Sequence, residues 1–219
     1  MEKQSVITAL KKLRETAKKR NFEQSLDLII DMKGVDFKKN ENKISAEIVL
    51  PKGRGKNRKV AIFAGKALSA ELKGASFVDK VIPEEDITNI SKKEMKKLAN
   101  EYAFFLSEPT LMPLIGKTLG GVLGPRHKMP KPVPPNAKAI EGFVNRVKNT
   151  VMVSNKARGQ NCVKVGVGTE KMSDEDLAEN IAAVVNKVVS LLPQGEDNIR
   201  KVLVKFTMSP AVVVGGDAQ

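Results

Sequence analysis

The chain has 219 residues, 41% of them hydrophobic, and carries 38 Lys plus Arg against 25 Asp plus Glu, a formal net charge of +13. No apolar run approaches the ~18 residues that a membrane-spanning helix requires, so a soluble protein with no membrane partner is expected. A single cysteine, Cys162, excludes an internal disulfide and points to a reducing cytoplasm.

The charge favours a polyanionic partner, with a lysine-rich solvated surface as the bland alternative. Its distribution bears on the choice. Residues 1–56 hold 14 basic and 8 acidic groups, residues 57–155 hold 16 and 9, and residues 156–219 hold 8 and 8, so the excess avoids the C-terminal third. Two domains suit the length. The N-terminal MEKQSVITALKKLRETAKKR has no apolar stretch with a small-residue cleavage site, so no secretory signal is expected.

The opening segment predicts a helix: Val6, Leu10, Leu13 and Ala17 share one face, and Lys11, Lys12, Arg14, Lys18 and Lys19 take the others. SLDLIIDM and ISAEIVL alternate as strands, with KGVDFKKNENK as a loop between them, and together they suggest an antiparallel pair. PKGRGKNRK, with Pro, two Gly and five basic residues, reads as a linker or exposed loop.

A strand-helix alternation follows. KVAIFAG is a buried-type strand, KALSAELKG a helix closed by a glycine, and FVDKVI a strand. SKKEMKKLAN is a helix opened by the capping box Ser91 and Glu94, and YAFFLSE is a strand. That order predicts a parallel sheet with helices on its faces. PTLMPLIGKTLGGVLG reads as a short helix ending in glycines, and PRHKMPKPVPPN as too proline-rich for regular structure.

KNTVMVSNKARGQNCVKVGVG predicts two strands joined by a turn. SDEDLAENIAAVVNKVVSLLP is the clearest helix, capped by Ser173 and striped by Leu177, Ile181, Val184, Val185, Val188 and Leu192. KVLVKFTMSPAVVV is a last strand interrupted at Pro210. The pattern of helix, hairpin, α/β insert, hairpin, helix and strand suggests a discontinuous first domain, left near residue 55 and re-entered near Asn155. The expected bounds are 1–56 with 156–219, and 57–155.

Gly116-Lys117-Thr118 ends like the phosphate-binding loop G-x-x-x-x-G-K-[ST], but the first glycine position holds Leu111 and Pro113 removes an amide, which leaves a nucleotide-hydrolysing enzyme the weaker reading. His127 is the only histidine, so a two-His metal site is excluded and any His-based triad or proton relay would have to use it, and among Arg and Lys it reads as solvated. Cys162 reads as a packing residue. No cofactor, metal or catalytic residue is expected. Lys18, Lys19 and Arg20 near a helix end, followed by Asn21 and Phe22, set phosphate-binding cations beside a base-edge donor and a stacking ring. Thr207, Met208 and Ser209 end a strand with two hydroxyls and a flexible apolar side chain, fit for ribose, phosphate or base contact.

In order, KKRNFEQSLDLIIDMKGVD, AEIVLPKGRGKNRKVAIFAG, LMPLIGKTLGGVLGPRHKMPKP and KFTMSPAVVV resemble the large-subunit ribosomal protein L1 family in its archaeal form, over essentially the whole chain. The resemblance implies a discontinuous split β-α-β (ferredoxin-like) domain I that binds RNA and an inserted Rossmann-like domain II, with a hinge between them. It implies no enzyme, but a cytoplasmic ribosomal constituent, monomeric outside the ribosome. Its partners would be the large-subunit rRNA stalk beside the exit site, exit-site tRNA whose release it assists, and its own mRNA, whose translation it represses. Carried over by position, Phe22, Ser25, Thr207 and Met208 match the family's RNA contacts, and Ser209 stands where a glycine is usual. Asn21 replaces a frequent lysine, and Lys164, Gly166, Gly168 and Thr169 fall on its RNA-facing hairpin. Lys19, Arg20 and Lys52 complete the expected RNA-binding set.

Overall fold

The computed structural model describes residues 3–36, 44–72, 74–126, 128–155 and 161–215. By its contacts the chain divides into two compact units, residues 1–56 with 149–219 and residues 57–148. The expected loop segment 37–43, the turn segment 156–160 and His127 lie outside the described residues.

Before the insert come helix α1 (Lys3–Thr16) and strands β1 (Ser25–Met32) and β2 (Ser45–Val49). α1 turns Val6, Ala9, Leu10 and Leu13 inward at helical spacing. β1 alternates strictly, with Leu26, Leu28, Ile30 and Met32 buried and Ser25, Asp27, Ile29 and Asp31 half-buried on the other face. The insert runs β3 (Val60–Ala64), α2 (Lys66–Glu71), β4 (Lys80–Pro83), α3 (Glu84–Asn89), α4 (Lys92–Glu101) and β5 (Phe104–Ser107). It ends with α5 (Met112–Leu123), β6 (Lys131–Pro132) and α6 (Ala137–Lys148). β7 (Thr150–Ser154), β8 (Cys162–Thr169), α7 (Asp174–Val189), β9 (Ile199–Phe206) and β10 (Val212–Val213) follow.

The first unit holds a sheet in the order β10-β9-β1-β8, every pairing antiparallel. β8, α7 and β9 thus make a β-α-β unit with β1 lying between its two strands. Leu10 and Leu13 of α1 join Ile181, Val184 and Val188 of α7 in a core with Leu26, Leu28, Ile30, Val204 and Phe206. The expected β1–β2 hairpin is not formed. Eight-residue β1 is matched on both edges by eight-residue β8 and β9, which satisfy its backbone along its length, whereas five-residue β2 finds five-residue β7. That ribbon moves the re-entry from the expected Asn155 to Asn149, and the Leu50 amide donates to the Asn149 carbonyl at 3.0 Å beside it. The last strand is not merely interrupted: β9 stops at Phe206, the chain turns through Pro210, and β10 runs back along β9.

The second unit is the expected parallel sheet with helices on both faces, in the order β4-β3-β5-β6. Phe63 and Phe105 stack at 5.8 Å on one face with Met95, Ile115 and Leu119, while Ile62, Leu68, Ile140 and Val144 fill the other. Both parts of the predicted capping box are made: Ser91 Oγ accepts from the Glu94 amide at 3.2 Å, and Glu94 Oε2 accepts from the Ser91 amide at 2.9 Å. The proline-rich stretch is regular after all at β6. Pro132 stands there on an edge strand, where a missing amide leaves no ladder partner unmet.

Candidate nucleic-acid interface

Strand register gathers the predicted residues. Ser25 lies opposite Thr169, and Leu26 opposite both Gly168 and Phe206, so the entry to β1 and the exits of β8 and β9 meet at one end of the sheet. The Ser25 amide donates to Thr207 Oγ1 at 3.1 Å, and the Met208 amide donates to Gln24 Oε1 at 3.1 Å. Lys56 Nζ donates to Ser25 Oγ at 2.9 Å and to the Glu23 carbonyl at 3.4 Å. Glu23 pairs with Lys171 at 3.3 Å, and a hydrogen bond from Thr169, then Lys171 and Lys56, hold its carboxyl below the usual range. On this fixed frame Phe22 is 51% exposed and Met208 59%, two large apolar side chains left in water beside cations.

Lys19, Arg20 and Asn21 are exposed next to Phe22, and their side chains make no hydrogen bond or ion pair among the described residues. The remaining predicted residues are placed differently. Thr169 is 1% exposed and lies under Glu23. Ser209 is also buried: its hydroxyl accepts from the Phe206 amide at 2.9 Å and donates to the Pro210 carbonyl at 2.9 Å, so it closes the turn from within. Gly168 backs onto Leu177 and Met172, and Gly166 onto the half-buried Arg54 guanidinium. Lys52 is held by Asp176 at 3.5 Å and Glu179 at 3.6 Å on α7, which raise its pKa, Glu179 first. Lys164 lies opposite Ile29, five residues and about 16 Å back along β8. Sequence reasoning missed Arg14, Gln24, Lys56 and Lys171. Arg14 reads as one more solvated cation on α1, and only the loop after β8 reveals its partners.

In the second unit Gly116-Lys117-Thr118 is part of α5 rather than a loop, and the Thr118 hydroxyl donates back to the Leu114 carbonyl at 2.8 Å. A doubly wound sheet takes ligands at the carboxyl ends of its strands, where the order reverses. At that point Glu108 Oε1 accepts from the Gly65 amide at 3.0 Å, so a protein carboxylate takes a place a phosphate would need. The signature's basic residues serve α4: Arg126 donates to the Lys96 carbonyl at 3.2 Å and Asn100 Oδ1 at 2.9 Å. Lys128 donates to the carbonyls of Ala99 at 2.5 Å and Tyr102 at 2.9 Å, and burial, then Arg126, lowers its pKa. The phosphate-loop reading is overturned. Among the described residues no helix is long and apolar enough to cross a membrane, and no group of His, Cys, Asp and Glu could hold a metal ion.

Fold and surface define a basic, two-unit α/β protein whose exposed functional groups suit binding. The chain belongs to the ribosomal protein L1p/L10e family, a family of ribosomal proteins rather than enzymes, whose sequence model matches residues 12–210. It is similar to three archaeal proteins, each named large ribosomal subunit protein uL1. The one from Pyrococcus horikoshii is 45% identical over 217 residues, covering 98% of this chain and 97% of the relative. The one from Methanothermococcus thermolithotrophicus is 43% identical over 212 residues, with 96% and 97% covered. The one from Methanocaldococcus jannaschii is 42% identical over 216 residues, with 98% and 96% covered.

Proposed function

We infer that this chain is a cytoplasmic constituent of the large ribosomal subunit that binds the rRNA stalk beside the exit site through the end of the first unit where β1, β8 and β9 meet. The observation that carries the reading is the pair Phe22 and Met208, held half-exposed on a rigid hydrogen-bonded frame next to Lys19, Arg20 and Lys56. Folded RNA presents 2′-hydroxyls, phosphates and unstacked bases, and hydroxyls, cations and exposed apolar groups are the partners these need. Thr207 and Ser25 contribute hydroxyls, while Thr169, Gly168 and Ser209 fix the backbone beneath.

Filter-binding titrations with a stalk-RNA fragment at several salt concentrations test this. Each neutralised phosphate steepens the salt dependence. Phe22→Ala or Met208→Ser weakens binding by about 1–3 kcal/mol, the scale of one stacking contact. Unchanged affinity in both variants removes the assignment.

The same end also takes the chain's own mRNA, so that rRNA and message compete and free protein represses its own synthesis. A ternary complex of both RNAs on one chain would contradict that. On the ribosome the protein assists release of deacylated tRNA. Equal release rates from subunits with and without it would remove this part. Outside the ribosome the chain is a monomer, which sedimentation checks.

A further inference from the structure

We propose that the cleft at the C-terminal end of α1 is a nucleotide subsite, taking one everted nucleotide of the bound RNA with its phosphate among Lys18, Lys19 and Arg20 and its base against the Arg14 guanidinium. The proposal rests on the RNA reading above and gives it a point of base contact. The cleft measures about 390 Å³ and is lined by those four cations together with Gln24, Glu170 and Phe206. That volume lies within the roughly 300–1,000 Å³ typical of small-molecule sites.

Its parts are built rather than merely exposed. Arg14 is pinned in its own plane: Nε donates to Asp174 Oδ1, Nη1 to the Glu170 carbonyl and Nη2 to the Met172 carbonyl, each at 2.7 Å. Such bonds occupy the edge of a guanidinium rather than its faces, and Cζ lies over the Phe206 ring, 6.0 Å from its centre. A fixed guanidinium plane is a stacking surface for an unpaired base. Gln24, 2% exposed, is oriented by the Met208 amide on its oxygen, which turns Nε2 to Glu170 Oε2 at 3.2 Å. Glu170 Oε1 is left to accept from a base amino group. Lys18, Lys19 and Arg20 have no side-chain partner among the described residues, so three cations stand free where a phosphate would sit.

The test follows the Arg14 Nε–H and Gln24 side-chain amide signals by NMR while the full chain is titrated at low salt with each of the four nucleoside 5′-monophosphates, ribose 5-phosphate and inorganic phosphate. At least one monophosphate is expected to shift both signals saturably and to bind ten-fold or more tighter than inorganic phosphate. Arg14→Lys should abolish that preference but keep the response to phosphate, and the surface variant Lys19→Ala/Arg20→Ala should weaken both. Equal affinities would reduce the cleft to a plain anion patch, and no response at all would also overturn the subsite.

Stalk-RNA titrations separate this idea from the broader one. If wild-type protein binds the RNA, and Arg14→Lys, shown folded by its NMR spectrum, binds it equally well, the subsite is wrong and the RNA reading stands. If monophosphates bind but stalk RNA does not, the RNA reading fails alone.

Discussion

Gly166 and Gly168 lie two residues apart on β8, and the structure predicts opposite reasons for having no side chain there. A Cβ at Gly168 overlaps Leu177 Cδ2 and lies 3.0 Å from Met172 Sδ. Leu177 is fully buried on α7 and cannot step aside, so Gly168→Ala should destabilise the first unit by about 1–3 kcal/mol, the usual cost of overpacking a filled core. A Cβ at Gly166 meets Arg54 Nη2 at 2.5 Å, the far end of a flexible side chain, so Gly166→Ala should cost under about 1 kcal/mol as Arg54 swings away. Urea unfolding followed by far-UV circular dichroism measures both, and stalk-RNA titration of the folded variants shows whether either backbone touches the ligand. The reasoning is refuted if Gly168→Ala keeps wild-type stability, or if Gly166→Ala is the more damaging change.

Three further outcomes are expected. Gly116, Gly120 and Gly121 stand in α5 with open space, clear to 4 Å, where an alanine methyl would project, so each Gly→Ala should stabilise the second unit by about 0.5–1 kcal/mol in thermal unfolding. The Glu23 carboxyl is depressed on folding, so its contribution is present above its ordinary value of about 4.5 and is lost as pH falls through the lower folded value. Glu23→Gln should therefore flatten the acid limb of the stability curve below that pH, and an unchanged limb contradicts the ion pair's role. Finally, joining Lys56 to Asn149 through a short glycine turn should give a folded, stalk-binding first unit, whereas joining Lys56 to residue 156 deletes β7 and strips β2 of its partner. If the two deletions melt alike, the ribbon adds nothing to the fold.

Period alone revealed α1, β1 and α7, because each buries one face and says so every second or every third to fourth residue, whereas β3 and β5 showed as short apolar runs, buried along nearly their whole length. Strand partnership was not legible. SLDLIIDM and ISAEIVL alternate equally well, and only the lengths of the strands they form, eight and five, distinguish the neighbours they take after the insert. β6 was hidden because Pro132 within it argues against a strand unless its place on an edge is known. At the proposed interface, Phe22 and Met208 stood out as apolar groups in polar surroundings. Gln24 and Arg14 carried no such mark, since their importance lies in partners more than 140 residues away. The histidine and the Gly-Lys-Thr tripeptide drew notice by chemical type alone, and the tripeptide proved to be ordinary helix.

The strand order also sets a timetable for synthesis. β1 is central, yet both of its neighbours lie beyond residue 161, whereas everything the parallel sheet of the second unit needs has been made by Lys148. As the chain emerges, the insert can close on itself while the first fifty-six residues wait with an amphipathic helix and two unpaired strands. The end bearing Phe22 and Met208 comes together only when β9 and its turn arrive, some 180 residues after Gln24. A nascent chain interrupted between Lys148 and Met208 holds every residue of the second unit but lacks the proposed RNA-binding end, so on that proposal an aborted product would not compete with the finished protein for RNA.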